Sequence, residues 1–228
     1  MKLNSNTHDI LKNFSEINTN ILIKPGSELN TISTMRNIFA KATITESFDN
    51  EFGIYDLNEF LNVATSEAFD SAEFEFQEKS VILKNGRSRC RYYYADPTTI
   101  ISPSQILTMP DIEVRVKIIG NDLKKIKNMS SVLGKSDFTI SSENGDDIIM
   151  SVLDKKDPTT NNFEMVIEKI DETDVYEPFL MNMKIENLKI IGGDYTVSLA
   201  SKGIAHFKND NMPVEYFIAM ADSTYGEQ

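Results

Sequence analysis

Apolar and polar residues alternate with a period of two over much of the chain, in AEFEFQ (72–77), RCRYYY (89–94), IEVRVKI (112–118) and FEMVIE (163–168). That period marks strands buried on one face, so β structure is predicted for most of the sequence. Asn85-Gly86, between the apolar run Val81–Leu83 and the alternating run after it, suits positive φ at both centres of a two-residue turn and predicts a tight hairpin. Helical spacing is confined to short stretches. Over 122–133 the residues Leu123, Ile126, Met129 and Leu133 fall within about a third of the wheel, with Asn121 or Asp122 placed to cap the start and Gly134 the end. Over 9–17, Ile10, Phe14 and Ile17 form a stripe opposite Lys12, with Thr7 or His8 as the cap. Leu57, Phe60, Leu61 and Ala64 are in register over 56–64, and 183–188 predicts a short fourth helix.

These elements repeat. LKNGRSRCRYYYA (83–95) aligns without gaps on FKNDNMPVEYFIA (207–219), with Lys84/Lys208, Asn85/Asn209, Tyr92/Tyr216 and Ala95/Ala219 identical. Tyr55-Asp56-Leu57 before the third helical stretch resembles Met181-Asn182-Met183 before the fourth, and Asp9-Ile10-Leu11-Lys12 resembles Asp122-Leu123-Lys124-Lys125. Order is preserved, so each half reads as helix, strands, helix, strands. Residues 1–95 and 112–228 are the expected domains. Between them, 96–111 holds three of the seven prolines and no regular period, and reads as a connector. It is apolar for a linker, with Ile100, Ile101, Ile106, Leu107 and Met109, and such residues call for a docking partner.

Composition narrows the function. The 228 residues carry 23 Lys/Arg against 35 Asp/Glu, a formal net charge of −12, so the chain as a whole repels nucleic acid. A single cysteine, Cys90, excludes an internal disulfide; its place in an alternating run, matching Val214, makes it a buried structural thiol rather than a nucleophile. MKLNSNTHDI lacks an apolar signal core and no run could span a bilayer, so a soluble cytosolic protein is expected. His8 and His206 read as surface histidines, and the glycines form no phosphate-binding pattern. Asp146-Asp147 and 171–174 could hold a divalent cation, but they lack a ligand rhythm and read better as solvated loops. Arg87, Arg89 and Arg91 share a strand face and suggest a charge ladder against Glu73 and Glu75.

Positive charge collects on helices. Lys124, Lys125 and Lys127 oppose the apolar stripe of 122–133, Lys135 lies just beyond, Lys12 projects from the first helix, and Lys184 and Lys189 flank the fourth. Against an acidic remainder, such segregation suits a helical face that meets phosphates without reading bases. Three readings stand at this point: a non-enzymatic protein whose helical face meets nucleic-acid phosphates, a non-catalytic β-rich structural or assembly protein, and a metal enzyme built on the acidic clusters.

LKNFSEIN (11–18), IYDLNEFL (54–61), ADPTTIISPSQ (95–105) and ADSTYGEQ (221–228) resemble the DNA sliding clamps, and more narrowly those of T-even-type bacteriophages. The resemblance implies an α+β fold of two tandem clamp domains, each with two helices packed on antiparallel sheets. Three chains then make a closed, six-domain ring with helices lining the hole. It implies no enzymatic activity and no cofactor or metal. Its partners would be double-stranded DNA, the replicative DNA polymerase, an ATP-dependent clamp loader and phage transcription factors, with no membrane, in the cytoplasm of the infected bacterial host. The DNA-facing residues would be Lys12, Lys124, Lys125, Lys127, Lys184 and Lys189. Partner peptides would dock near Ile101, Ile106, Leu107, Met220 and Tyr225. The subunit contact would pair Arg89, Arg91 and Tyr93 with Phe163, Met165 and Ile167.

Overall fold

The computed structural model describes residues 1–104, 107–157 and 159–226. The chain divides into two compact units, Met1–Ile106 and Leu107–Gln228.

In the first unit, helix α1 (Ser5–Ile17) precedes strands β1 (Ile21–Ile23), β2 (Gly26–Ile32), β3 (Ile38–Phe48) and β4 (Phe52–Ile54). Helix α2 (Leu57–Ala64) and strands β5 (Glu73–Phe76), β6 (Ser80–Asn85) and β7 (Ser88–Tyr93) follow. β2 and β3 form a long hairpin, β1 pairs with β4, and β5-β6-β7 is an antiparallel meander. α1 begins four residues earlier than expected because Asn4, not Thr7 or His8, caps it: Asn4 Oδ1 accepts from the Thr7 N–H at 2.7 Å. The stripe Ile10, Phe14 and Ile17 is buried, and each such side chain contributes about 1.5–3 kcal/mol. Glu46 of β3 reaches the same helix end, accepting from the Asn4 N–H at 2.6 Å and the Thr7 hydroxyl at 2.7 Å. Asp56 caps α2, accepting from the Glu59 N–H at 2.9 Å.

Local chemistry corrects several expectations here. The β6–β7 turn is centred on Gly86-Arg87 rather than Asn85-Gly86: Asn85 and Ser88 are paired across the ladder and only Gly86 takes positive φ, 56°. β6 lies between β5 and β7, so the arginines of β7 face Lys84 and Ile82, while Lys84 ion-pairs with Glu75. The charge ladder therefore runs through β6. Cys90 is half-buried, not enclosed.

The second unit runs β8 (Val114–Ile118), α3 (Gly120–Leu133), β9 (Asp137–Ser142), β10 (Ile148–Leu153), β11 (Phe163–Lys169) and β12 (Phe179–Lys184). It continues with β13 (Tyr195–Ala200), β14 (Ile204–Asn209), β15 (Val214–Ala219) and β16 (Thr224–Tyr225). Its antiparallel strand order is β16-β12-β9-β10-β11-β8-β13-β14-β15. Alternation does what it predicts: Val114, Val116 and Ile118 of β8 are buried while Arg115 and Lys117 are exposed.

The expected fourth helix is absent. Residues 179–184 are strand β12 on β9, and only Ile185–Asn187 make a single 3₁₀ turn. Met181 and Met183 follow the strand period, and six residues are too few to repay helix nucleation once the ladder is available. The second unit thus has one α-helix among its described residues. His206 also departs from the surface reading: its ring stacks on Phe217 at 4.5 Å, and Nε2 lies 2.8 Å from Glu215 Oε2. His8 is likewise half-buried.

Candidate nucleic-acid interface and assembly edges

Helix α3 carries the densest exposed basic charge. No side chain within its own first turn caps it; Asp194, 74 residues away, accepts from the Gly120 N–H at 2.7 Å. Gly120 is required there, because a Cβ would meet the Gly193 backbone at 2.8 Å. Leu123 and Ile126 are buried, Met129 and Leu133 half-buried, and Gly134 closes the helix in the left-handed conformation with φ 64°. Lys124 and Lys125 project into solvent, Lys125 paired with Asp122 at 2.8 Å.

The other lysines separate into different settings. Lys127 is half-buried and donates to the Leu188 carbonyl at 2.6 Å, tying α3 to the segment that carries exposed Lys189. Lys184, at the end of β12, pairs with Asp137 at 2.6 Å. Burial alone would raise the Asp137 carboxyl, but hydrogen bonds from Lys184 and the Lys155 N–H outweigh it and hold it below the usual range. Lys12 is exposed on α1 with Asp9 and Glu16 exposed on the same helix. α2 exposes Asn58, Glu59 and Asn62 and no cation.

Among the strands with open edges in the described residues are the two expected at the subunit contact. Among the described residues β7 pairs only with β6, leaving the edge with Arg89, Arg91 and Tyr93 uncovered, and Tyr93 is 67% exposed. β11 pairs with β10 along Phe163–Ile167, but only Glu168 and Lys169 also meet β8. Its other edge is therefore open over most of its length. Phe163 and Met165 are half-buried, Ile167 is buried, and Val166 is 69% exposed.

The connector does not hang free of the first unit. Ile100 is buried against Gly53, Ala95 bridges to Gly53, and the Ile101 N–H donates to Asn20 Oδ1 at 3.1 Å. A cavity of about 240 Å³ between it and β1–β3 is lined by Leu22, Phe39 and Pro103. Ile101 and Leu107 are exposed, Met220 is buried, Tyr225 is half-buried, and Ile106 lies outside the described residues. No group of three or more His, Cys, Asp or Glu among the described residues is arranged to hold a metal ion. Asp171 instead accepts from the Thr173 N–H and hydroxyl in its own loop. No helix of the described residues is long and apolar enough to cross a membrane.

Sequence reasoning missed the Glu46 cap, the Asp194 cap and the β2–β3 hairpin. Only the hairpin left a signal, in the alternation of AKATITESF (40–48).

This architecture recurs in solved clamps. The structure of the C-terminal region of FEN-1 bound to A. fulgidus PCNA matches with a TM-score of 0.71 at 12% identity, covering 95% of both chains. The fold is that of the DNA clamps. Residues 4–102 match the family model described as DNA polymerase processivity factor, and residues 114–222 match gp45 sliding clamp, C terminal. The sliding clamp of Vibrio phage KVP40 is 34% identical over 96% of this chain and 98% of that protein. That of Escherichia phage RB69 is 29% identical over 99% of each. The chain belongs to the phage sliding clamps: it is a processivity factor for a DNA polymerase, and its role is non-catalytic. Nothing in these relationships supports a structural or assembly protein.

Proposed function

We propose that three copies close into a ring around duplex DNA, with residues 1–95 and 112–228 as the tandem domains and 96–111 as the connector. The observation that carries this reading is the exposed Lys124/Lys125 pair on a helix of a chain whose net charge is −12. Local positive charge in an acidic protein directs phosphate to one face and discourages binding elsewhere. Lys124 and Lys125 lead the DNA-facing set, which also comprises Lys12, Lys127, Lys184 and Lys189. Screening over about 8 Å at physiological salt keeps their action local.

The open edges of β7 and β11 support the subunit contact. Pairing one with the other, head to tail, covers both and closes by rotation. Such a ring holds by topology, so weak phosphate contacts leave it free to slide. An ATP-dependent loader opens it, and the replicative polymerase and phage transcription factors dock peptides near Ile101, Ile106, Leu107, Met220 and Tyr225, in the infected host's cytoplasm.

The test is retention on closed circular DNA. The loaded protein should stay through gel filtration on the circle and be lost when the circle is cut. Equal retention on cut and closed DNA would overturn the encirclement.

A further inference from the structure

The first unit holds a second recognition feature, remote in kind from a lysine face. The β3–β4 turn (Phe48 to Phe52) and the β5–β6 turn (Phe76 to Ser80) flank a cavity of about 230 Å³. Its walls are aromatic. Phe48 meets Phe52 at 5.5 Å and Phe76 at 5.2 Å, both edge to face, and Tyr94 stacks on Phe52 at 4.6 Å. Pockets for drug-sized ligands and cofactors run to roughly 300–1,000 Å³, so this one suits a side chain.

Its lip is acidic. Asp49 and Glu51 on one turn and Glu78 on the other are exposed, and none forms an ion pair among the described residues. Two cations lie close by: Met1 is part of the cavity wall, its ammonium donating to the Phe74 carbonyl at 2.9 Å, and Lys79 is exposed in the β5–β6 turn, so three carboxylates outnumber them at the lip. The carboxylates do not converge as a metal-binding group. Inside, the Tyr94 hydroxyl is shut away from solvent beside the Gln77 backbone, whose N–H is already given to the Ser80 carbonyl at 2.8 Å. A buried hydroxyl so poorly partnered is costly, and a donor entering the cavity would give its oxygen a full hydrogen bond.

We propose that this cavity docks an arginine side chain from a basic peptide of a partner protein. A guanidinium matches all three features: its plane packs on ring faces, its N–H groups fork to carboxylates, and it gives up water more readily than an ammonium. A lone apolar side chain would leave both the carboxylates and the Tyr94 hydroxyl unused. The site lies wholly within the first unit and does not depend on ring closure or on DNA.

The test uses the full chain labelled with 3-fluorotyrosine, with the Tyr94 fluorine resonance assigned by Tyr94→Phe. The probe is acetyl-Gly-Arg-Leu-Arg-Gly-amide, and the control replaces each arginine by citrulline, nearly isosteric and neutral. The arginine peptide should shift the Tyr94 signal saturably, with the citrulline peptide and the Glu51→Gln/Glu78→Gln variant each about fivefold weaker or more. Asp171→Asn/Asp174→Asn, removing as much negative charge elsewhere, should leave binding unchanged. Equal binding of the citrulline peptide, equal weakening by the distant variant, or no saturable shift up to millimolar peptide would each overturn the proposal. On the Tyr93→Asp chain, in which the seam through β7 is broken, a Tyr94 shift that grows with protein concentration without peptide would make a second copy the occupant and overturn it as well.

Discussion

The first α-helix of each unit, α1 and α3, carries a similar apolar stripe, yet the two are held and charged differently. α1 is capped by its own neighbour Asn4 and by Glu46, and its exposed surface mixes Lys12 with Asp9 and Glu16. α3 is capped from 74 residues away by Asp194 and exposes Lys124 and Lys125. The second helix of the first unit, α2, has no basic residue, and its counterpart in the second unit is one 3₁₀ turn followed by Lys189. A similar pattern of apolar positions thus places α1 and α3, while their polar faces are free to diverge. On the proposed reading the second unit would supply most of the attraction for DNA, because the helices of the first are acidic on balance, with Lys12 against Asp9, Glu16 and Glu59.

The assembly edges give the largest expected effect. Tyr93→Asp, at a position 67% exposed on the open edge of β7, should leave the fold intact but shift the trimer to monomer at micromolar concentration, a loss of about 2–4 kcal/mol at a central contact. Sedimentation velocity reads it, and a persisting trimer would remove β7 from the seam. Next comes the charge contrast itself. Lys124→Glu with Lys125→Glu should reduce retention on circular DNA about tenfold and flatten its salt dependence, whereas Lys12→Glu should change it by less than about threefold. Equal effects would erase the difference between the units. Glu59→Lys on α2 should do the opposite and lengthen retention, which the same gel-filtration assay would register.

The smallest effect separates the two caps. Glu46→Gln should destabilise the first unit by about 1–2 kcal/mol at neutral pH in urea denaturation. Burial alone raises the Glu46 carboxyl, but hydrogen bonds from Thr7, the Asn4 N–H and Thr45 outweigh it and hold it below the ordinary 4.5. Its contribution is therefore complete above that value and is lost as pH falls through the lowered one, so the gap between wild type and variant should close in acid. A gap that stays constant from pH 7 to pH 3 would mean that the Glu46 charge is not what holds the helix end.

Much of this was legible beforehand because it depends on near neighbours. The buried stripes of α1 and α2, the Gly134 stop of α3 and the alternating strands at 73–76, 88–93, 114–118 and 163–169 all follow from spacing along the chain. So does the concentration of lysine at 124 and 125. Two of the errors share one cause. Met181 and Met183 fit a short helix as well as a strand, and β9 decided between them by offering a ladder. Arg89 and Arg91 were set against the wrong strand because pairing order, with β6 in the middle, is not written in any one segment.

By itself, then, the sequence determined most element types, the two-unit organisation and the charge carried by each helix, since these rest on periods of two to four residues and on composition. Tertiary structure alone decided the long-range partners of the lysines, as Lys184 pairs with Asp137 and Lys127 turns to the Leu188 carbonyl. It also decided that two turns far apart in sequence meet around an aromatic cavity. The reason is that an ion pair, a distant cap or a cavity wall needs atoms within a few ångströms in space, and separation along the chain places no bound on that distance once it folds back.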